Sequence, residues 1–147
     1  MKVFMTIEDD LSKKKKVLIR TIPNNGNTPI ITLTQGEGKF NFVLETGSDV
    51  SILCNPKEDK IKVSSMILTT GGNGVAGKGI ATENGIYRTP ETNVVDFAIQ
   101  GQKHAIPFVV SPHLSGAFEI FEKNTGIHLT GVLGTDFLSK YHISIQY

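Results

Sequence analysis

The stretch Phe42-Val43-Leu44-Glu45-Thr46-Gly47-Ser48-Asp49 decides how the chain is read. An apolar strand runs into a carboxylate, the chain turns on Thr-Gly-Ser, and apolar residues return at Val50, Ile52 and Leu53. A strand apolar on both faces at Phe42, Val43 and Leu44 leads to the centre of a domain rather than to its edge. A carboxylate at its end is costly to bury without partners, so Glu45 differs from an ordinary exposed hairpin residue. The Thr46 hydroxyl can tie the turn, and Gly47 permits close backbone approach.

Working outward, the surroundings read as strands. Ile30 to Thr34 alternates apolar and polar residues, Gln35-Gly36-Glu37-Gly38 is a short loop, and Lys39 resumes a strand toward Leu44. Val94 to Ile99, the turn at Gln100-Gly101-Gln102 and Ala105 to Val110 form a second hairpin. Val63 to Thr70 reads as a strand, Ile80 to Tyr87 as a weak strand broken at Asn84-Gly85, and His142 to Tyr147 as a terminal strand. Pro23 to Asn27 is a turn cluster, and Asn55 to Lys62 is a charged surface excursion. The spacing of Leu114, Phe118 and Phe121 predicts a helix over 114–124, stopped by Gly126. A helical turn is expected over 137–141, with Asp136 placed to cap it.

Composition agrees. Ile, Val and Thr total 41 of the 147 residues, against 15 for Ala and Leu together. β-branched residues favour strands, so the domain is expected to be all-β. No apolar run approaches the roughly 20 residues that span a bilayer. The net charge of +1 gives no general reason to expect nucleic acid. Lys13 to Lys16 reads as a solvated turn between two short strands, not as a nucleic-acid patch. Cys54 is the one cysteine, so no disulfide forms within the chain. The N-terminus turns acidic without an apolar stretch, which predicts a cytoplasmic protein.

Two other candidate sites fail on their chemistry. Gly72-Asn73-Gly74-Val75-Ala76-Gly77 matches the glycine pattern of dinucleotide sites, and with Lys78 it nearly matches a P-loop. Both motifs require a following helix, and the P-loop also requires a hydroxyl where this chain has Gly79. The glycines read better as a flexible hairpin tip. His104, His113, His128 and His142 have no helical or strand pair spacing, so no metal site is expected.

Together with the C-terminus, the opening stretch resembles the retropepsin-type aspartic proteases. That family has a buried strand ending in Asp-Thr-Gly-Ala/Ser, then a glycine-rich flap, then an apolar-apolar-Gly motif leading into a short helix. The counterparts are 42–48, 69–79 and Val132-Leu133-Gly134-Thr135-Asp136-Phe137-Leu138, and Ile143 to Ile145 is similar to the family's final strand. The resemblance covers about residues 28–147 and leaves 1–27 as an N-terminal extension. It implies a closed acid-protease β-barrel with one or two short helices and a psi-shaped catalytic loop.

By the same resemblance, Glu45 stands at the catalytic position and Thr46, Gly47 and Ser48 build the loop. Asp49, Gly71, Gly72, Gly74 and Gly77 would contact an extended peptide, and no cofactor is implied. The chemistry requires two carboxylates sharing one proton, and one motif per chain then implies a homodimer. Glu45 departs from the family's aspartate by one methylene. Thr135 stands where viral members carry an arginine that pairs with the residue at Asp49. The reading from a different class is a non-catalytic peptide-binding or dimerisation module on the same barrel.

Overall fold

The computed structural model describes residues 3–10, 13–22, 28–67, 79–82, 85–88, 92–140 and 144–146. Its strands are β1 (Val3–Asp10), β2 (Lys13–Ile22), β3 (Thr28–Gln35), β4 (Gly38–Leu44), β5 (Ile52–Leu53), β6 (Ser65–Ile67), β7 (Gly79–Thr82), β8 (Gly85–Arg88), β9 (Thr92–Ile99), β10 (Gln102–Val110), β11 (Leu129–Leu133) and β12 (Ser144–Gln146). Two short helices, α1 (Ser115–Thr125) and α2 (Thr135–Lys140), flank β11 in sequence.

The main sheet runs β12-β1-β2-β3-β4-β11-β5-β10-β9-β6, and a further β3–β9 pairing joins Thr34 to Ala98. That pairing closes six strands, β3, β4, β11, β5, β10 and β9, into a mixed barrel. The expected all-β closed barrel is what forms. Closure removes the two edges that an open six-strand sheet would leave.

Two hairpins set its register. Gln35 pairs with Gly38 across Gly36-Glu37, and Ile99 pairs with Gln102 across Gln100-Gly101. Gln100 and Gly101 take φ of 49° and 82°, the positive values of a type I′ turn, which matches the twist of the strands it joins. The core is apolar and aromatic. Phe42, Phe97 and Phe108 are fully buried, with ring centroids 5.3 to 5.9 Å apart, and Phe40 packs on Phe97 from the side.

β11 carries the positioning role. All five of its residues are buried, and it lies parallel to β4 and antiparallel to β5. The chain leaves β4, loops around the end of β11 and returns as β5 on its other side, which is the psi-shaped crossing. The strand buried on both faces is therefore β11. In β4, Phe42 and Leu44 are buried but Val43 is only half-buried. The crossing leaves almost no room. A Cβ on Gly134 would lie 2.5 Å from the carbonyl oxygens of both Ser48 and Val50, and one on Gly131 would collide with that of Ile52.

Several local expectations are corrected. Lys13 to Lys16 lie within β2 rather than in a turn, with Lys13 opposite Asp10 and Lys14 opposite Glu8. Among the described residues, the strand expected from Val63 is confined to Ser65–Ile67. Gly79–Thr82 and Gly85–Arg88 pair as a hairpin with Thr82 opposite Gly85, so the weak strand expected over 80–87 is two paired strands. Residues 23–27, the glycine run 71–77 and His142 lie outside the described residues. Pairing carries residues 3–10 and 13–22 into the same sheet as the barrel, β2 against β3 and β1 against β2 and β12. Among the described residues no helix is long and apolar enough to cross a membrane.

The helix α1 begins and ends within a residue of its expected bounds, behind a 3-10 turn at Pro112–Leu114 and before Gly126 at φ 76°. None of its residues is fully buried, and Ile120 is exposed. Polar contacts hold its C-terminal side. His128 reaches Glu122 of α1 at 2.6 Å and Asp59 of the 56–60 turn at 2.8 Å. Partial burial works against a charged imidazole, but the hydrogen bonds and charges of Asp59 and Glu122 outweigh it and raise the His128 pKa above its ordinary value.

Two outcomes are expected. Gly134→Ala should cost about 3 kcal/mol, the upper range for overpacking, because its neighbours are backbone carbonyls that cannot rotate away. Urea denaturation checks this, and a neutral substitution would mean that the crossing yields. The His128 contribution has a defined sign. A pKa raised by folding adds stability that is complete below the unfolded value of about 6.5 and is lost as pH rises through the folded pKa. The imidazole is 62% exposed, so solvent screening holds its contribution within about 1 kcal/mol. His128→Gln should therefore lower stability at about pH 6 and leave it unchanged at about pH 9. An equal loss at both pH values would remove charge from the explanation.

Candidate active site

The loop 45–51 is tied to the segment 133–136 along its whole length. At its start, Glu45 N–H donates to the Leu133 carbonyl at 2.9 Å. In the middle, Thr135 N–H donates to the Ser48 carbonyl at 2.8 Å. At the end, the Ser51 hydroxyl donates to Asp136 Oδ1 at 2.8 Å, and its N–H donates to Oδ2 at 3.2 Å. The Ser51 oxygen also accepts the Gly134 N–H at 3.0 Å. The loop itself is folded by the Ser48 hydroxyl, which donates to the Val50 carbonyl at 2.7 Å. That hydroxyl does the work expected of Thr46, which is exposed.

Glu45 stands at the centre of this arrangement. Its Oε1 accepts the Gly47 N–H at 2.9 Å, so the side chain turns back over its own loop. In the single chain Glu45 is exposed, not sunk in the core floor as its apolar flanks suggest. The reason is strand parity. Glu45 continues the face of Asn41 and Val43, both half-buried, while Phe42 and Leu44 occupy the core face. Asp49 is exposed on the same loop. The loop thus groups Glu45, Thr46, Gly47, Ser48 and Asp49. The other expected substrate contacts, Gly71, Gly72, Gly74 and Gly77, lie outside the described residues.

Sequence reasoning missed one member of this group and misread another. Ser51 is 1% exposed and joins Asp136 to Gly134, but nothing local in the sequence marks it. Asp136 does approach the helix backbone, taking the Phe137 N–H at 2.7 Å, but the same carboxylate also holds the far end of the loop. Its position within the Leu-Gly-x-Asp motif is the available signal.

Other reactive side chains have different roles. Cys54 is buried. Burial, then the charges of Asp59 and Glu58, push its thiol pKa up, which keeps it protonated and poorly nucleophilic. Among the described residues no group of three or more His, Cys, Asp or Glu is placed to hold a metal ion.

No family model matches the chain. It is 33% identical over 108 residues to the retrovirus-related Pol polyprotein from transposon 412 of Drosophila melanogaster. The match takes in 74% of this chain and 7% of that polyprotein, so the chain spans a small part of its relative's length. Among solved structures it is similar to the EIAV protease complexed with the inhibitor HBY-793, with a TM-score of 0.47 and 19% identity, covering 81% of this chain and 92% of that one. The closed barrel with its crossing loop, the order of the motifs and the polyprotein relative agree: the chain is retropepsin-like.

Proposed function

We propose that two copies of the chain form an aspartic-type endopeptidase in which each copy supplies one Glu45. Residues 28–147 would form the catalytic unit, preceded by the extension. The observation that carries this reading is the exposed Glu45 carboxylate on a loop tied at its start, middle and end to 133–136. An exposed carboxylate on a rigid loop is open to a second chain, and positioned groups rather than mobile ones support catalysis.

Two like charges in contact do not both ionise, so the pair would hold one proton between them. The ionised member takes a proton from a water. The protonated member donates to the peptide carbonyl oxygen as the water attacks, so no covalent intermediate with the enzyme forms. Gly47 N–H fixes one oxygen of each carboxylate and leaves the other for the water or the carbonyl. Turning back to Gly47 is how the longer glutamate side chain would be accommodated. An extended peptide would lie across both loops, held by main-chain hydrogen bonds in the manner of an added strand, with Asp49 beside it. The glycine run 71–77 is proposed as the flap that covers it.

A broad peptide library tests this with three proteins. Wild type should cleave with a bell-shaped pH dependence on the acid side, and Glu45→Gln should lose cleavage by about a hundredfold or more. Cleavage by Glu45→Asp alone would mean that the scaffold is competent and that glutamate has silenced it. Peptide binding without turnover by either protein would favour the non-catalytic module.

A further inference from the structure

We infer that Asp136 is a positioning residue for Glu45, acting through Ser51. The inference rests on the reading of Glu45 as the working carboxylate, but the geometry behind it is independent of any turnover. A carboxylate that only capped α2 would need one oxygen on one first-turn N–H, and Asp136 supplies that through Oδ1 to Phe137. Both of its oxygens are also committed to Ser51, 85 residues away in sequence. Hydrogen bonds to an ionised acceptor are about twice as strong as neutral ones, and this is the tie between the loop and 133–136 that is made to a carboxylate.

Ser51 transmits the constraint. It is buried, donates its hydroxyl proton to Asp136 and accepts the Gly134 N–H on the same oxygen. Its carbonyl takes the Val109 N–H at 2.9 Å, so it also anchors the loop's exit to β10. The loop's start and middle are tied to 133–136 through backbone groups, at Leu133 and Thr135. The end at Ser51 is the part tied to 133–136 through side chains. If that end is released, the close contact of Val50 and Ser48 with Gly134 opens, and the Gly47 N–H moves with it, away from Glu45 Oε1.

Amide NMR of the full chain tests this without substrate, so an absence of peptidase activity would leave the result readable. In wild type the Gly47 amide shift should follow ionisation of the Glu45 carboxyl, because Gly47 donates to it. In Asp136→Asn the single amide oxygen cannot accept all three protons that the carboxylate takes. A variant that still melts cooperatively should show Gly134 amide exchange faster by about tenfold and a Gly47 shift that no longer follows Glu45. Ser51→Ala should do the same with Asp136 intact, and it decides the matter if Asp136→Asn does not fold. A purely structural role lowers the melting temperature but leaves the Gly47 response unchanged. That unchanged response in a folded variant would overturn the inference.

Discussion

The close passage of Gly134 beneath the carbonyls of Ser48 and Val50 is the constraint from which the site follows. The chain can loop around the end of β11 only because that position has no side chain. Once the crossing is made, backbone groups of 133–135 lie opposite those of the loop and pair with them. β11 can then be buried on every residue, because β4 and β5 cover its two edges and the loop closes over its end. The burial of β11 and the fixing of the loop that carries Glu45 are thus consequences of one tight crossing.

The parts legible in the sequence were those set by local chemistry. Gln100-Gly101 marks a turn by its residue types, and the strands on either side pair in the register that turn dictates. Leu114, Phe118, Phe121 and Gly126 bound a helix by periodicity and a stop, even though that helix buries no residue completely. The Glu45 loop was legible because an apolar strand, an acid and Thr-Gly-Ser form an unusual succession. The illegible parts depended on distant partners. Lys13 to Lys16 reads as a turn until Glu8 and Asp10 are seen across the ladder. Glu45 reads as buried until the strand's core face is known to be that of Phe42 and Leu44. Ser51 and Asp136 meet across 85 residues, and no periodicity encodes that meeting.

Outside the site, a few described ionisable groups serve structure. Asp59, Glu122 and His128 fasten a helix that lacks a fully buried apolar face. Burial of Cys54, and after it the charges of Asp59 and Glu58, hold its thiol protonated. Neither arrangement competes with Glu45 for the role of an accessible, firmly placed acid. In the proposed chemistry a carboxylate of this kind would supply half of a proton-sharing pair, so that chemistry calls for two chains rather than one.

Subunit mixing tests that claim most directly. Wild-type chain and Glu45→Gln chain are combined in equal amounts, allowed to exchange partners, and assayed for peptide cleavage at a fixed total concentration. If both carboxylates are needed, random pairing leaves only the wild-type pairs active, and turnover falls to about a quarter of that of wild type alone. Turnover of about a half would mean that each chain works with its own Glu45, and would contradict the shared site.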